Sequence, residues 1–230
     1  MWATCGWWVP APMPEPGARR AALCLAPSGM EVAPEVQAGL REAAARLSDA
    51  GWQIEETDGP DMAEAARLQA VLWLAEFRRV ADTVEREGDP DAAFVYARMQ
   101  RHCPVPDLDA FLDALQRRAA LVRDWETFFE RTPLVLCPVS GLPPLPDHAD
   151  VESEAGFDRV FAAQLPQIAP PFMGLPGLAV TLSVGAGGVP VGAQLLAGRY
   201  QEETLLQAAE AIEARGPAIP IAEPGAGVAG

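Results

Sequence analysis

The sequence contains no lysine: all 17 of its Lys+Arg residues are arginines. A side-chain amine base is therefore excluded, because a guanidinium stays protonated throughout the working pH range of proteins. Positive charge of any kind is scarce. Against 32 Asp+Glu the formal net charge is -15, and the isoelectric point lies near 4.5. With no basic stripe to offset that charge, neither nucleic acid nor an anionic membrane surface is expected as a partner. Long apolar runs are missing too. Charge or proline interrupts each one well short of the roughly 20 residues a membrane-spanning helix needs. The opening MWATCGWWVPAPMPEPGARR lacks a basic n-region and an A-x-A-like processing site, so no signal peptide is expected and the cytoplasm is the default compartment. Cysteine is sparse. Cys5, Cys24, Cys103 and Cys137 form no C-x-x-C pair, which leaves zinc and redox motifs without their signature. Cys24 in AALCLA and Cys137 in LVLCPV read as reduced packing thiols.

What is present suits a folded α/β chain. Half of the 230 residues are hydrophobic, enough for one large or two small domains. Residues 1–18, with Trp2, Trp7 and Trp8 among prolines and small residues, read as an extended, Pro-rich lead-in. The Trp7-Trp8 pair suggests hydrophobic docking onto a neighbouring surface, or stacking on a ligand. Ala21 to Ala26 predicts a strand. A helix follows, with Pro34 in its first turn, Val36, Leu40, Ala44 and Leu47 on one face, and Gly51 at its end. Trp52 to Thr57 predicts a second strand, giving a βαβ unit and a parallel pair. Asp61 and Glu64 have the spacing of a capping box for a helix carrying Leu68, Val71, Leu72, Ala75 and Val80. From Asp107 to Glu130, Leu108, Phe111, Leu112, Leu115, Ala119, Val122, Trp125 and Phe129 form one stripe. Its width and short length favour burial against a sheet over a coiled-coil seam.

Leu134 to Val139 is a continuous apolar run, the pattern of a strand buried on both faces. Leu178 to Val184 and Val189 to Leu196 predict a hairpin about the Gly-rich turn between them. Gln201 to Ala214 predicts a closing helix with Leu205, Ala208, Ala209 and Ile212 inward, stopped by Gly216-Pro217. The tail, 223–230, reads as loose.

Several candidate sites are weak on their own chemistry. SVGAGGVPVG is followed by a strand rather than a helix, so it does not cradle phosphate. Asp147, His148, Asp150, Glu152 and Glu154 could hold a divalent cation, but their lack of fixed spacing favours a solvated loop. His102 beside Cys103 could be written as a base and a thiolate, although a surface or helix-end role suits neighbours in sequence better. The five serines, Ser28, Ser48, Ser140, Ser153 and Ser183, include no G-x-S-x-G elbow. Ser48 falls on a polar helix face, and Ser28 and Ser153 read as turn residues. Only Ser140, at the end of a buried strand, stands where a site residue often does.

From Pro133 onward, PLVLCPVSGLPPLPDHAD, FDRVFAAQLPQIAPPFMGLPGLAVTLSVG and GVPVGAQLLAGRYQEETLLQAAEAIEARG together resemble the carboxy-terminal half of the amidase signature family. The most specific piece, GLPGLAVTLSVGAGGVPVGAQLLAGRYQEETLL, is similar to the family's Gly-Pro turn, strand, Gly-rich turn, second strand and helix after a Gly-Arg. RAALCLAPSGMEVAPEVQAGLREAAARLSDAG resembles the section that follows the family's serine-rich signature. The resemblance covers about Arg19 to Ala222 and implies a partial amidase-signature fold, a mixed β-sheet covered by helices.

In that family an amide is cleaved to a carboxylate and ammonia or an amine. A Lys takes a proton from a cis-Ser, which activates a nucleophilic Ser, and backbone N–H groups stabilise the oxyanion. All these groups belong to the family's amino-terminal half, so no catalytic residue carries over to a position here. The resemblance implies instead a wall of the substrate cavity, with Val139, Ser140, Phe172 and Met173 as candidates in the loops after the 134–139 strand and around 171–174. The sequence itself gives no sign of a metal, nucleotide or other cofactor. The expected chain is an incomplete amidase, from a shortened or mis-started gene or from an enzyme assembled from two chains, with a small-molecule amide as substrate once completed. A complementing chain or homo-oligomer is the expected partner, and exposed strand edges and apolar faces should make the chain poorly soluble alone. A non-catalytic α/β module that binds a small ligand or partner is the alternative.

Overall fold

A computed structural model describes residues 19–103, 105–185 and 188–219. The lead-in with Cys5 and the Trp7-Trp8 pair, and the tail from 220, lie outside the described residues. β1 (Arg20–Leu23) runs into a short 3-10 turn at Pro27–Gly29 and then α1 (Pro34–Asp49), which returns the chain to β2 (Gln53–Glu56). β1 and β2 pair in parallel, as the βαβ reading expects. Four helices follow: α2 (Ala63–Phe77), α3 (Asp82–Glu87), α4 (Pro90–His102) and α5 (Leu108–Phe129). After them β3 (Leu134–Cys137) enters the sheet, followed by α6 (Glu154–Ala163), α7 (Leu165–Met173), the hairpin β4 (Gly177–Val184) and β5 (Pro190–Leu196), and α8 (Glu202–Glu213).

The five strands lie in the order β2-β1-β3-β5-β4. β3 pairs in parallel with β1 and antiparallel with β5, so the sheet is mixed. Because side chains alternate along a strand, each central strand serves two cores. Ala21 and Leu23 of β1 and Leu134 and Leu136 of β3 meet Leu40, Leu47, Leu205 and Ile212 of α1 and α8 on one face. Ala22, Val135 and Cys137 meet Leu68, Trp125, Phe129 and Phe172 of α2, α5 and α7 on the other. All residues of β3 are buried, the double-sided burial its apolar run predicts. A third cluster, with Leu74, Met99, Cys103 and Phe157, ties α2, α4 and α6 together.

Neither outer strand presents an apolar edge by itself. β2 is polar, with Gln53, Glu55 and Glu56 exposed. β4 is irregular between Thr181 and Ser183, and there the buried guanidinium of Arg46 donates to the Leu182 carbonyl at 3.1 Å. Uncovered apolar surface lies instead on α5. Only Ala114, Leu121, Trp125 and Phe129 of that helix are buried, while Leu108, Leu112 and Leu115 are 71%, 46% and 39% exposed. The predicted stripe is thus split: its carboxy-terminal half packs on the sheet and its amino-terminal half does not.

Two local expectations are also corrected. Asp61 and Glu64 do not form a capping box. Ser28, reaching across from the 3-10 turn, accepts from the Met62 and Ala63 N–H groups at 2.8 and 3.2 Å, and Asp61 accepts from Ala63 N–H at 2.9 Å. Glu64 is drawn away by Arg117, bonded in the bidentate fashion at 2.8 Å. The stretch 171–173, expected in a loop, is the last turn of α7. Prolines 170 and 171 hid that helix, since a proline has no N–H for the carbonyl four residues back. The deserted acceptor of Pro170 is the Pro166 carbonyl, and Gln194 of β5 donates its side-chain N–H to it at 2.7 Å. Replacing Gln194 by Leu keeps the bulk and leaves that carbonyl without a donor. The Gln194→Leu chain should lose about 1–3 kcal/mol in denaturant unfolding; an unchanged midpoint would remove Gln194 from this role.

Candidate functional site

A concavity opens where β3 ends. Pro138 stops the strand, and the chain continues through Val139, Ser140 and Gly141 into a Pro-rich turn. Gly141 is clamped: its N–H donates to Ala163 O at 2.9 Å and its carbonyl accepts from Ala33 N–H at 2.8 Å. A β-carbon there would meet the Glu31 carbonyl at 2.5 Å, so only glycine allows the α1 entrance and the end of α6 to close on this turn. The resulting groove holds about 330 Å³. Val36, Val139, Leu142 and Val191 supply its apolar walls, and Ser140, Gln164, Gln167 and Thr181 its neutral polar groups. Glu35, in the first turn of α1, is the one charged residue among those that line it.

Two of the four sequence candidates, Val139 and Ser140, face this groove. Ser140 Oγ accepts from Leu142 N–H at 3.2 Å, a turn-forming contact. The other two, Phe172 and Met173, are 1% and 0% exposed and pack in the core beneath the sheet, outside the groove's lining. Their carbonyls end α7 and are taken by arginines: Arg118 donates to Phe172 O, and Arg199 donates to Met173 O at 3.1 and 2.6 Å. Cations at a helix carboxy terminus complement its dipole, and Gly174 at φ 68° completes the cap.

The remaining candidates are engaged elsewhere. His102 packs against the rings of Phe157 and Phe161, which also stack on each other, and shares a 2.9 Å hydrogen bond with Asp158. Burial raises the Cys103 thiol above its ordinary value, opposite to what a nucleophile requires. Burial likewise pushes the Cys24 thiol up to about 11 and Cys137 higher still, as suits packing thiols. Glu154 of the acidic stretch is drawn to Arg98 and Arg101, and Ser153 caps α6 by accepting from Gly156 N–H at 3.0 Å. Among the described residues no group of three or more His, Cys, Asp or Glu is placed to hold a metal ion. No helix among them is long and apolar enough to cross a membrane.

The mixed sheet, its two helical layers and the groove beyond β3 define an α/β protein with a ligand-sized concavity at a strand end. The sequence profile of the amidase family matches residues 15–206, and the chain belongs to that family. It is 34% identical over 218 residues to an indoleacetamide hydrolase of Bradyrhizobium japonicum, a match covering 91% of this chain and 46% of the relative. It superposes on 6-aminohexanoate cyclic dimer hydrolase with a TM-score of 0.69 at 20% identity, covering 88% of this chain and 46% of that one. On a bacterial aryl acylamidase of the amidase signature family the TM-score is 0.65 at 18% identity, with 86% and 43% covered. The chain therefore spans about half the length of these proteins.

The ion pairs between α4 and α6 make stability acid-sensitive. Arg98 first, then His102, holds the Asp158 carboxyl below its ordinary value, and Arg117 does the same for Glu64. A carboxylate with a lowered folded pKa contributes fully above its unfolded value and loses that contribution as pH falls toward the folded one. Thermal midpoints should be level from pH 7 to 5 and drop below about pH 4. Asp158→Asn should lower the midpoint at pH 7 and shrink that drop; an unchanged pH profile would contradict the assignment.

Proposed function

We propose that this chain is the carboxy-terminal portion, residues 19–222, of an amidase-family hydrolase that converts an amide to a carboxylate and ammonia or an amine. The observation that carries this reading is the family match at about half the relatives' length, in a sequence without lysine. Such hydrolysis needs a nucleophile, a base to take its proton and donors to the oxyanion. Four of the five serines have structural reasons for their positions: Ser28 caps α2, Ser153 caps α6, Ser140 forms a turn and Ser183 lies in β4. Arginine cannot act as the base. As the family resemblance implies, the nucleophile and its base come from another stretch of polypeptide, and this chain alone does not turn over.

Its contribution is a wall. Val139, Ser140 and their neighbours in the groove contact the body of the substrate, while Phe172 and Met173 hold α7 rigid beneath the sheet. A mainly apolar lining with neutral polar groups and one carboxylate favours a neutral amide with an apolar body over an anionic one. The indoleacetamide named for the relative at 34% identity has that character. The acidic charge, and the lack of a candidate spanning helix among the described residues, agree with a cytoplasmic enzyme.

The test pairs the purified chain with a family amino-terminal portion bearing the Ser, cis-Ser and Lys, and measures ammonia release from indoleacetamide and phenylacetamide. The pair should release ammonia and the isolated chain should not. Val139→Arg in the pair should raise KM about tenfold with little change in kcat, the pattern of lost uniform binding. Turnover by the isolated chain, or none from a correctly assembled pair, would overturn the reading.

A further inference from the structure

The uncovered half of α5 has the geometry of a pairing surface. Leu108, Leu112, Leu115 and Ala119 are separated by four, three and four residues, the spacing of a heptad seam. All four are exposed, the leucines by 71%, 46% and 39%. At about 100° per residue they share one line along the helix. That line lies roughly 100° around the axis from buried Trp125, so the sheet cannot cover both.

Along one flank of the seam stand Asp109, Gln116 and Arg123, a regular seven-residue repeat with an anion at one end, a neutral amide in the middle and a cation at the other. All three are exposed, and neither Asp109 nor Arg123 has an ion pair among the described residues. The order is self-complementary only when two copies run antiparallel. A twofold axis near residues 115–116 sets Leu115 beside its own copy, Leu112 opposite Ala119 and Asp109 opposite Arg123. In a parallel pair, by contrast, this flank would meet the opposite flank of the partner, which carries Phe111 and Arg118, setting Arg123 against Arg118 and leaving Asp109 without a cation.

We propose that this surface joins two copies of the chain as an antiparallel α5–α5 dimer. The self-complementary charge order favours a second copy over an unrelated segment, for which no symmetry would be required. A seam of about three turns buries less than the roughly 1,200 Å² of a standard stable interface, so the association is reversible. It uses no residue of the groove, and its readout is independent of amide hydrolysis.

Sedimentation equilibrium across a hundredfold concentration range tests the proposal. The native chain should convert from monomer to dimer within the range. Leu112→Glu and Leu115→Glu, both at exposed positions, should each weaken the dimer at least tenfold while circular dichroism stays native. Asp109→Arg and Arg123→Asp should each weaken it severalfold, and the double exchange should restore it. A monomer at every concentration, association indifferent to Leu112→Glu, or a double exchange that fails to restore the dimer would overturn the proposal. The last two results would point to non-specific association or to another polypeptide as the occupant of this face.

Discussion

Everything in this chain hangs on β3. Among the described residues it is the strand that joins the two halves of the sheet, in parallel with β1 and antiparallel with β5. Its residues Leu134, Val135, Leu136 and Cys137 are buried and alternate between the two cores. Its continuation supplies Val139 and Ser140 to the lining of the groove. A strand in that position can carry no charge on either face, which is why its sequence is an unbroken apolar run.

The elements whose residues report on their own surroundings were legible in the sequence. The β1-α1-β2 unit, β3, the hairpin and α8 each show a period or an apolar run that their burial explains. What escaped depended on partners far along the chain. α7 carries Pro166, Pro170 and Pro171 and looks like a loop until Gln194 supplies the donor its carbonyl lacks. The cap of α2 comes from Ser28, across a turn, in place of the locally spaced Asp61 and Glu64. α5 deceived in another way: its stripe is continuous in sequence, yet its two halves meet different surroundings, protein at Trp125 and open surface at Leu112. Of the groove's lining, Val139 and Ser140 could be expected from their place after a buried strand. Phe172 and Met173 could be placed correctly only by knowing that α7 is a helix.

The residues that make the family resemblance most specific are chiefly packing residues. A β-carbon on Gly177 would meet Leu196 at 3.2 Å, and one on Gly198 would meet Glu126 at 3.1 Å. Arg199 holds the end of α7 through Met173 O, and Gln194 holds its beginning. These motifs preserve the fit of β4, β5 and α7 around β3. The chain thus keeps the family's packing around β3, and a fold of this kind does not by itself fix the chemistry it serves.

Native-state hydrogen exchange of the backbone amides measures the pivotal role of β3 most directly. The amides of 134–137 should be the slowest to exchange, and the β1 and β5 amides bonded to them should open in the same cooperative step, at the free energy of global unfolding. Exchange of β3 at low free energy while the β4-β5 hairpin and the β1-α1-β2 unit each remain protected would contradict that role.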